Sequence, residues 1–202
     1  CTAQGLLAVM SGFYAVWHGP DGIRRIAQRV NRLTNILAAG LTKLGHAPEH
    51  EAYFDTLVVP CDAEKVMQRA VEAGINLRPI DAKRVGISLD ETSTREIVET
   101  LFEVFAGKQD HGLTAGGLDR EAGNSIPNAV KRQSTYLVHP VFNSYRSETE
   151  MLRYLRRLRE KDIALDRSMI PLGSCTMKLN AAAEMLSITL PGFANIHPFV
   201  PA

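Results

Sequence analysis

The chain has 202 residues, 45% of them hydrophobic and 22% charged, with a formal net charge of +1. Those values fit a soluble globular protein of one or two domains and offer no electrostatic argument for a nucleic-acid or anionic-membrane partner. No apolar run approaches the ~20 residues of a membrane-spanning helix, no secretory leader is legible, and Cys1, Cys61 and Cys175 are too scattered for a disulfide framework or a zinc site, which points to a reducing compartment.

In chain order, Leu6, Met10, Phe13 and Trp17 recur at helical spacing, with Leu7 and Tyr14 widening the stripe. The string HGPDG, His18 to Gly22, then punctuates the chain. A second helix is expected from Ile23 onward, with Ile26, Val30, Leu33, Leu37, Leu41 and Leu44 on one face and Gly45 as its stop. YFDTLVV, Tyr53 to Val59, reads as a strand. Asp62 caps a short helix through Ala73, with Gly74 just beyond it. INLRPI, Ile75 to Ile80, reads as a strand whose Pro79 suggests an edge, and RVGISL, Arg84 to Leu89, alternates as a half-buried strand. Ser93 and Glu96 stand at capping-box spacing before IVETLFEVFAG. The expected order over residues 1–107 is α-α-β-α-β-β-α, a small sheet covered by helices.

Residues 108–135 are rich in Gly, Asp, Asn and Ser without sustained periodicity and read as an exposed linker. Ser147 and Glu150 repeat the capping-box spacing, and Met151, Leu152, Leu155 and Leu158 supply an apolar helix face. RYLRRLREKD, Arg153 to Asp162, mixes its charges at helical spacing and reads as a solvated face. This last region is too short to bury its own apolar residues and is expected to need a partner. The chain starts at Cys1 and stops at HPFVPA, which suggests a piece of a longer protein.

One loop concentrates reactive groups. Ser174, Cys175, Thr176, Lys178 and Asn180 fall within seven residues, just before an Ala-rich segment that Asn180 can cap. Amides at such a helix start favour an anion. Cys175 as a nucleophile would need a positioned base, for which His139 and His197 are candidates. Each of those histidines lies in a His-Pro turn, where a structural role is the simpler reading. Lys178 as a Schiff-base lysine has no local cofactor site. No Cys-x-x-Cys pair and no Gly-rich nucleotide loop occurs. Composition and spacing alone therefore support an α/β piece with one polar loop.

Longer strings carry a resemblance. VHPVFNSYRSETEMLRYLRRLREKD, Val138 to Asp162, resembles the THPVFNSYHSETEMLRY pattern of glycine decarboxylase, the pyridoxal-phosphate component of the glycine cleavage system. SMIPLGSCTMKLNAAAEM, Ser168 to Met185, resembles the same family's signature, and FANIHPFVPA, Phe193 to Ala202, fits the stretch downstream of that signature. Upstream, CTAQGLLAVMSGFYAVWHGPDGIRRIA and INLRPIDAKRVGISLDETSTREIV also look like this family, so the resemblance covers the whole chain. A departure falls at Ser187-Ile188-Thr189-Leu190, where the family pattern IPITWP is expected.

The resemblance implies pieces of the aspartate-aminotransferase-like fold. Residues 1–107 would be the small C-terminal α+β domain of a first half, 108–135 the linker, and 136–202 the N-terminal segment of a second half. It implies decarboxylation of glycine on pyridoxal phosphate and transfer of the aminomethyl group to the lipoyl arm of a carrier protein. The implied partners are that carrier and the rest of the same chain, with a homodimer when intact, in a bacterial cytoplasm or a mitochondrial matrix. The family's cofactor lysine follows a histidine, and no His-Lys pair occurs here. The resemblance therefore implies no catalytic, cofactor-binding or metal-binding residue in this chain, which alone is expected to be inactive. It makes Ser174, Cys175, Thr176 and Asn180, with His139 and Asn143 nearby, a wall of the substrate pocket. A non-catalytic interaction module, or another pyridoxal-phosphate decarboxylase of the same fold, are the alternative readings.

Overall fold

The computed structural model describes residues 3–161, 183 and 186–196. The chain divides into two compact units, Arg24–Ser134 and the pair Cys1–Ile23 with Thr135–Ala202. The first element, α1 (Ala3–Lys43), contributes to both and is broken at Gly19, whose φ of 61° and ψ of −178° are not helical. Pro20 follows, and its fixed φ and missing N–H suit the first position of a restarted helix. The punctuation expected at HGPDG is thus a real break. α1 ends at Lys43, and Gly45 just beyond it takes φ +87° while the His46 N–H closes back on the Leu41 carbonyl at 2.8 Å.

The unit Arg24–Ser134 is built on a three-stranded antiparallel sheet. Its strands are β1 (Thr56–Pro60), β2 (Arg78–Asp81) and β3 (Arg84–Ser88), in the order β1-β3-β2. Leu57 faces Ile87 and Val59 faces Val85 across the ladder, and all four side chains are buried. Pro79 lies on the edge strand β2, where its missing N–H leaves no ladder bond unmade, and the β2–β3 register slips between Pro79 and Asp81. α2 (Ala63–Glu72) and α3 (Arg95–Ala106) cover the sheet together with the second limb of α1. The element order over residues 3–107 is the expected one.

The apolar positions that defined these elements in sequence are the ones that close the core. Val30, Leu33, Ile36, Leu37 and Leu41 from α1 join Val66 and Ala70 from α2 and Val98, Leu101, Phe102 and Phe105 from α3. Each large side chain buried this way contributes roughly 1.5–3 kcal/mol relative to exposure. The Phe102 ring lies directly over Gly40, leaving no room for a Cβ there.

Two caps are instructive. Asp62 caps α2, accepting the Lys65 N–H at 3.3 Å, as expected. The cap of α3 is Thr94 rather than Ser93: Thr94 Oγ1 accepts the Ile97 N–H at 3.3 Å. Ser93 is already committed to a reciprocal turn, accepting the Asp90 N–H at 3.0 Å and donating its own N–H to Asp90 Oδ1 at 3.1 Å.

The stretch read as an exposed linker is packed down in its middle, between Leu113 and Ile126, and exposed on either side. A short helix, α4 (Ala115–Asp119), is capped by Thr114, and Ala115 and Leu118 are fully buried in the core just described. Asp119 binds Arg32 Nε at 2.7 Å and also pairs with Arg95. Further on, the Ser125 hydroxyl donates to the Tyr53 carbonyl at 2.8 Å and accepts from buried Asn31 at 3.2 Å. Leu113 and Ala122 pack against the same core from either side, and four anchors without helical or strand spacing leave no periodic signal in sequence. Its polar composition reads as a linker although it behaves as a strap.

The other unit holds the first limb of α1, a 3-10 turn at Pro140–Asn143 and α5 (Glu148–Arg159). It also holds a second 3-10 turn, Ser187–Thr189, and α6 (Pro191–Ala194). Among its described residues Val16 is the single fully buried hydrophobic side chain. No helix among the described residues is long and apolar enough to cross a membrane.

Substituting Gly40→Ala is expected to destabilise the chain by about 1–3 kcal/mol, because Phe102 has nowhere to go; urea denaturation measures it. Limited trypsin digestion should cut at Lys131 or Arg132 before Arg120, as mass mapping of the early fragments would show. The Asp119 carboxyl is held below its usual range by hydrogen bonds from Arg32 and then Arg95. The strap is therefore fully anchored above the ordinary Asp pKa of about 4 and loosens as pH falls through the lowered value. Asp119→Asn should expose Arg120 to trypsin already at neutral pH.

Candidate functional site

His139 and Asn143, the two expected site residues among those described, come together in the turn that precedes α5. Pro140 starts the 3-10 helix with a preset φ, and His139 caps it by accepting the Val141 N–H on Nδ1 at 3.2 Å. Asn143 Nδ2 donates to the His139 carbonyl at 3.2 Å and to the Leu137 carbonyl at 3.0 Å. Leu137 has φ +51°, an unusual conformation for a branched residue, and the Asn143 contact holds its carbonyl in place. Both polar heads thus close the turn. Ser174, Cys175, Thr176 and Asn180, together with Lys178 and His197, lie outside the described residues.

A residue that sequence reasoning missed organises this neighbourhood. The Arg146 guanidinium donates from Nη1 to the Val16 carbonyl at 2.6 Å and the Trp17 carbonyl at 3.2 Å, and from Nη2 to the Phe142 carbonyl. The break at Gly19 leaves the last carbonyls of the first limb of α1 without helical partners. Arg146 supplies them from more than a hundred residues away, and a cation at a helix C-terminus is favoured by the helix dipole. Gly19 lies so close to Arg146 and to the Phe142 carbonyl that a Cβ would collide with both. Tyr136 adds a bond from its hydroxyl to the Pro20 carbonyl at 2.7 Å. In the family pattern THPVFNSYHSETEMLRY a His occupies the Arg146 position, a small difference that gave no hint of a three-carbonyl clamp.

The entry to α5 is a capping box. Ser147 accepts the Glu150 N–H at 3.3 Å, and Glu150 Oε2 reaches back to the Arg146 N–H at 3.2 Å. That last bond, followed by the one from the Ser147 hydroxyl, holds the Glu150 carboxyl below its usual range. Along α5, Tyr154 stacks on Tyr145 with centroids 4.2 Å apart and meets Phe13 edge to face at 6.1 Å. The Arg157 guanidinium lies over both tyrosine rings and binds the Tyr145 hydroxyl at 2.5 Å.

The hydrogen bonds of this arrangement order backbone. Every lysine among the described residues is exposed, whereas a Schiff-base lysine needs a desolvated site to lower its pKa. In the unit Arg24–Ser134 an open groove is lined by Asn35, Thr42, His50, Glu51, Asn124 and Ser125 and contains neither lysine nor arginine. The Cys61 thiol is pushed up by burial, the wrong direction for a nucleophile. The described residues therefore do not fit a pyridoxal-phosphate site. They also include no group of three or more His, Cys, Asp or Glu side chains able to hold a metal ion.

The molecule is a mixed α/β segment whose described polar clusters build structure. Its family follows from comparison with known proteins: the model of the glycine cleavage system P-protein matches residues 1–105, and the chain belongs to that family. Proteins named glycine dehydrogenase (decarboxylating) from Cupriavidus metallidurans and Pectobacterium atrosepticum are 55% and 56% identical over the whole of this chain. The protein of that name from Bordetella avium is 57% identical, also over the whole chain. The chain spans only 21%, 21% and 22% of the lengths of these relatives, respectively.

Arg146→Ala is expected to speed amide exchange over residues 13–18 by roughly three- to tenfold while leaving residues 30–41 unchanged. Arg146→Lys should not restore protection, because an ammonium cannot span three carbonyls as a planar guanidinium does.

Proposed function

We propose that this chain is the junction segment of an enzyme that decarboxylates glycine, joining the small domain of a first half to the opening of a second. The observation that carries this reading is the match over the whole chain to proteins named glycine dehydrogenase (decarboxylating), of which it spans about a fifth. In the intact protein pyridoxal phosphate would supply the electron sink for loss of the glycine carboxylate. A lipoylated carrier protein would then accept the remaining aminomethyl group. The cofactor lysine belongs to polypeptide outside these 202 residues, a view supported by the exposure of every described lysine.

On this reading the chain's own contribution is shape. The loop Ser174, Cys175, Thr176 and Asn180 forms part of the substrate-pocket wall, and the His139–Asn143 turn braces the start of the second half. The intact protein works as a homodimer, in a bacterial cytoplasm or a mitochondrial matrix.

The test is a pyridoxal-phosphate titration of the 202-residue chain followed by borohydride reduction and peptide mapping, alongside an assay of glycine-dependent carbon dioxide release. We expect no lysine carrying a reduced adduct and no release from this chain, and both from the full-length protein that contains it. A single stoichiometric adduct on Lys178, or turnover by the isolated chain, would overturn the junction reading.

A further inference from the structure

We infer that the apolar faces of the first limb of α1 and of α5 form a docking surface for polypeptide of the same longer protein lying outside these 202 residues. The inference rests on the junction reading and adds which surface the remaining chain covers.

The faces have the spacing of helix-packing seams. Leu6, Met10, Phe13 and Trp17 follow steps of four, three and four residues, and Met151, Leu155 and Leu158 follow four and three. They are also open to solvent. Leu6 is 65% exposed, Met10 57%, Leu155 38% and Leu158 37%. Phe13 and Tyr154 meet edge to face, so both seams belong to one unit. That unit has a single fully buried hydrophobic side chain among its described residues, whereas the unit Arg24–Ser134 closes a complete core over its own sheet. Soluble proteins seldom leave paired stripes of this size uncovered.

The occupant follows from length. The relatives are about five times longer than this chain and align with all of it, so in them roughly four-fifths of the polypeptide lies outside the aligned segment. Covalent attachment holds that polypeptide at a high effective concentration near the seams. A second copy of this unit would have to reach the same faces by bimolecular association.

Hydroxyl-radical footprinting tests this, with Met10 and Trp17 as reporters and Val130, 71% exposed in the other unit, as the reference. The 202-residue chain and the full-length protein that contains it are compared. We expect Met10 and Trp17 to react at least fivefold more slowly in the full-length protein relative to Val130. Met10→Glu should lower the melting temperature of the full-length protein and leave that of the 202-residue chain unchanged. Equal reactivity in the two proteins would overturn the inference. So would protection in the 202-residue chain that grows with its concentration, which would identify a second copy as the occupant. The two readings fail separately. A full-length protein that decarboxylates glycine with Met10 still reactive refutes the docking surface alone, and one with Met10 protected but no glycine-dependent turnover refutes the junction reading.

Discussion

The close approach of α3 to α1 is the constraint on which the unit Arg24–Ser134 depends. A three-stranded sheet with strands of four or five residues cannot bury its own apolar face. It needs helices pressed against it and against each other. Phe102, fully buried, fills the space over Gly40, and only a residue without a Cβ admits a phenyl ring that near the α1 backbone. Once that contact is made, the apolar rows of α1, α2 and α3 face one interior together with Leu57, Val59, Val85 and Ile87 of the sheet.

The strap is a consequence of the same core. Ala115 and Leu118 fill its rim, and Asp119 then lies between Arg32 and Arg95, which come from α1 and α3. Surface ion pairs of this kind contribute little singly. Their use here is positional: they fix where the chain leaves the core, and the Asn31–Ser125–Tyr53 hydrogen bonds fix it again six residues later. For a segment proposed to join two halves of a large enzyme, a defined exit point limits the directions the following polypeptide can take.

The second unit follows the opposite logic. Its described residues are ordered by hydrogen bonds, a cap and an aromatic stack, and among them Val16 alone is a fully buried hydrophobic side chain. Arg146 turns the chain break at Gly19 into a satisfied helix end, and the capping box sets the start of α5. Such polar devices specify geometry at modest net stabilisation, while the apolar seams remain available. A unit of this type suits a piece whose stability is completed by a neighbour.

Local sequence pattern determined the elements of residues 3–107, the break at HGPDG, the caps at Asp62 and Ser147, and the edge position of Pro79. All of these are local, depending on neighbours within about one or two helical turns. Long shared strings such as PLGSCTMKLN pointed to the family. Only the tertiary structure decided the rest. The Ser93 cap moved to Thr94 because Asp90 had already engaged the serine. The supposed linker became a strap because Ala115 and Leu118 found room in a core made elsewhere. Arg146 became a helix cap because its partners stand about 130 positions away in the chain. Each of these outcomes is a competition among distant groups for one carbonyl, one N–H or one cavity, and no window of neighbouring residues contains both competitors.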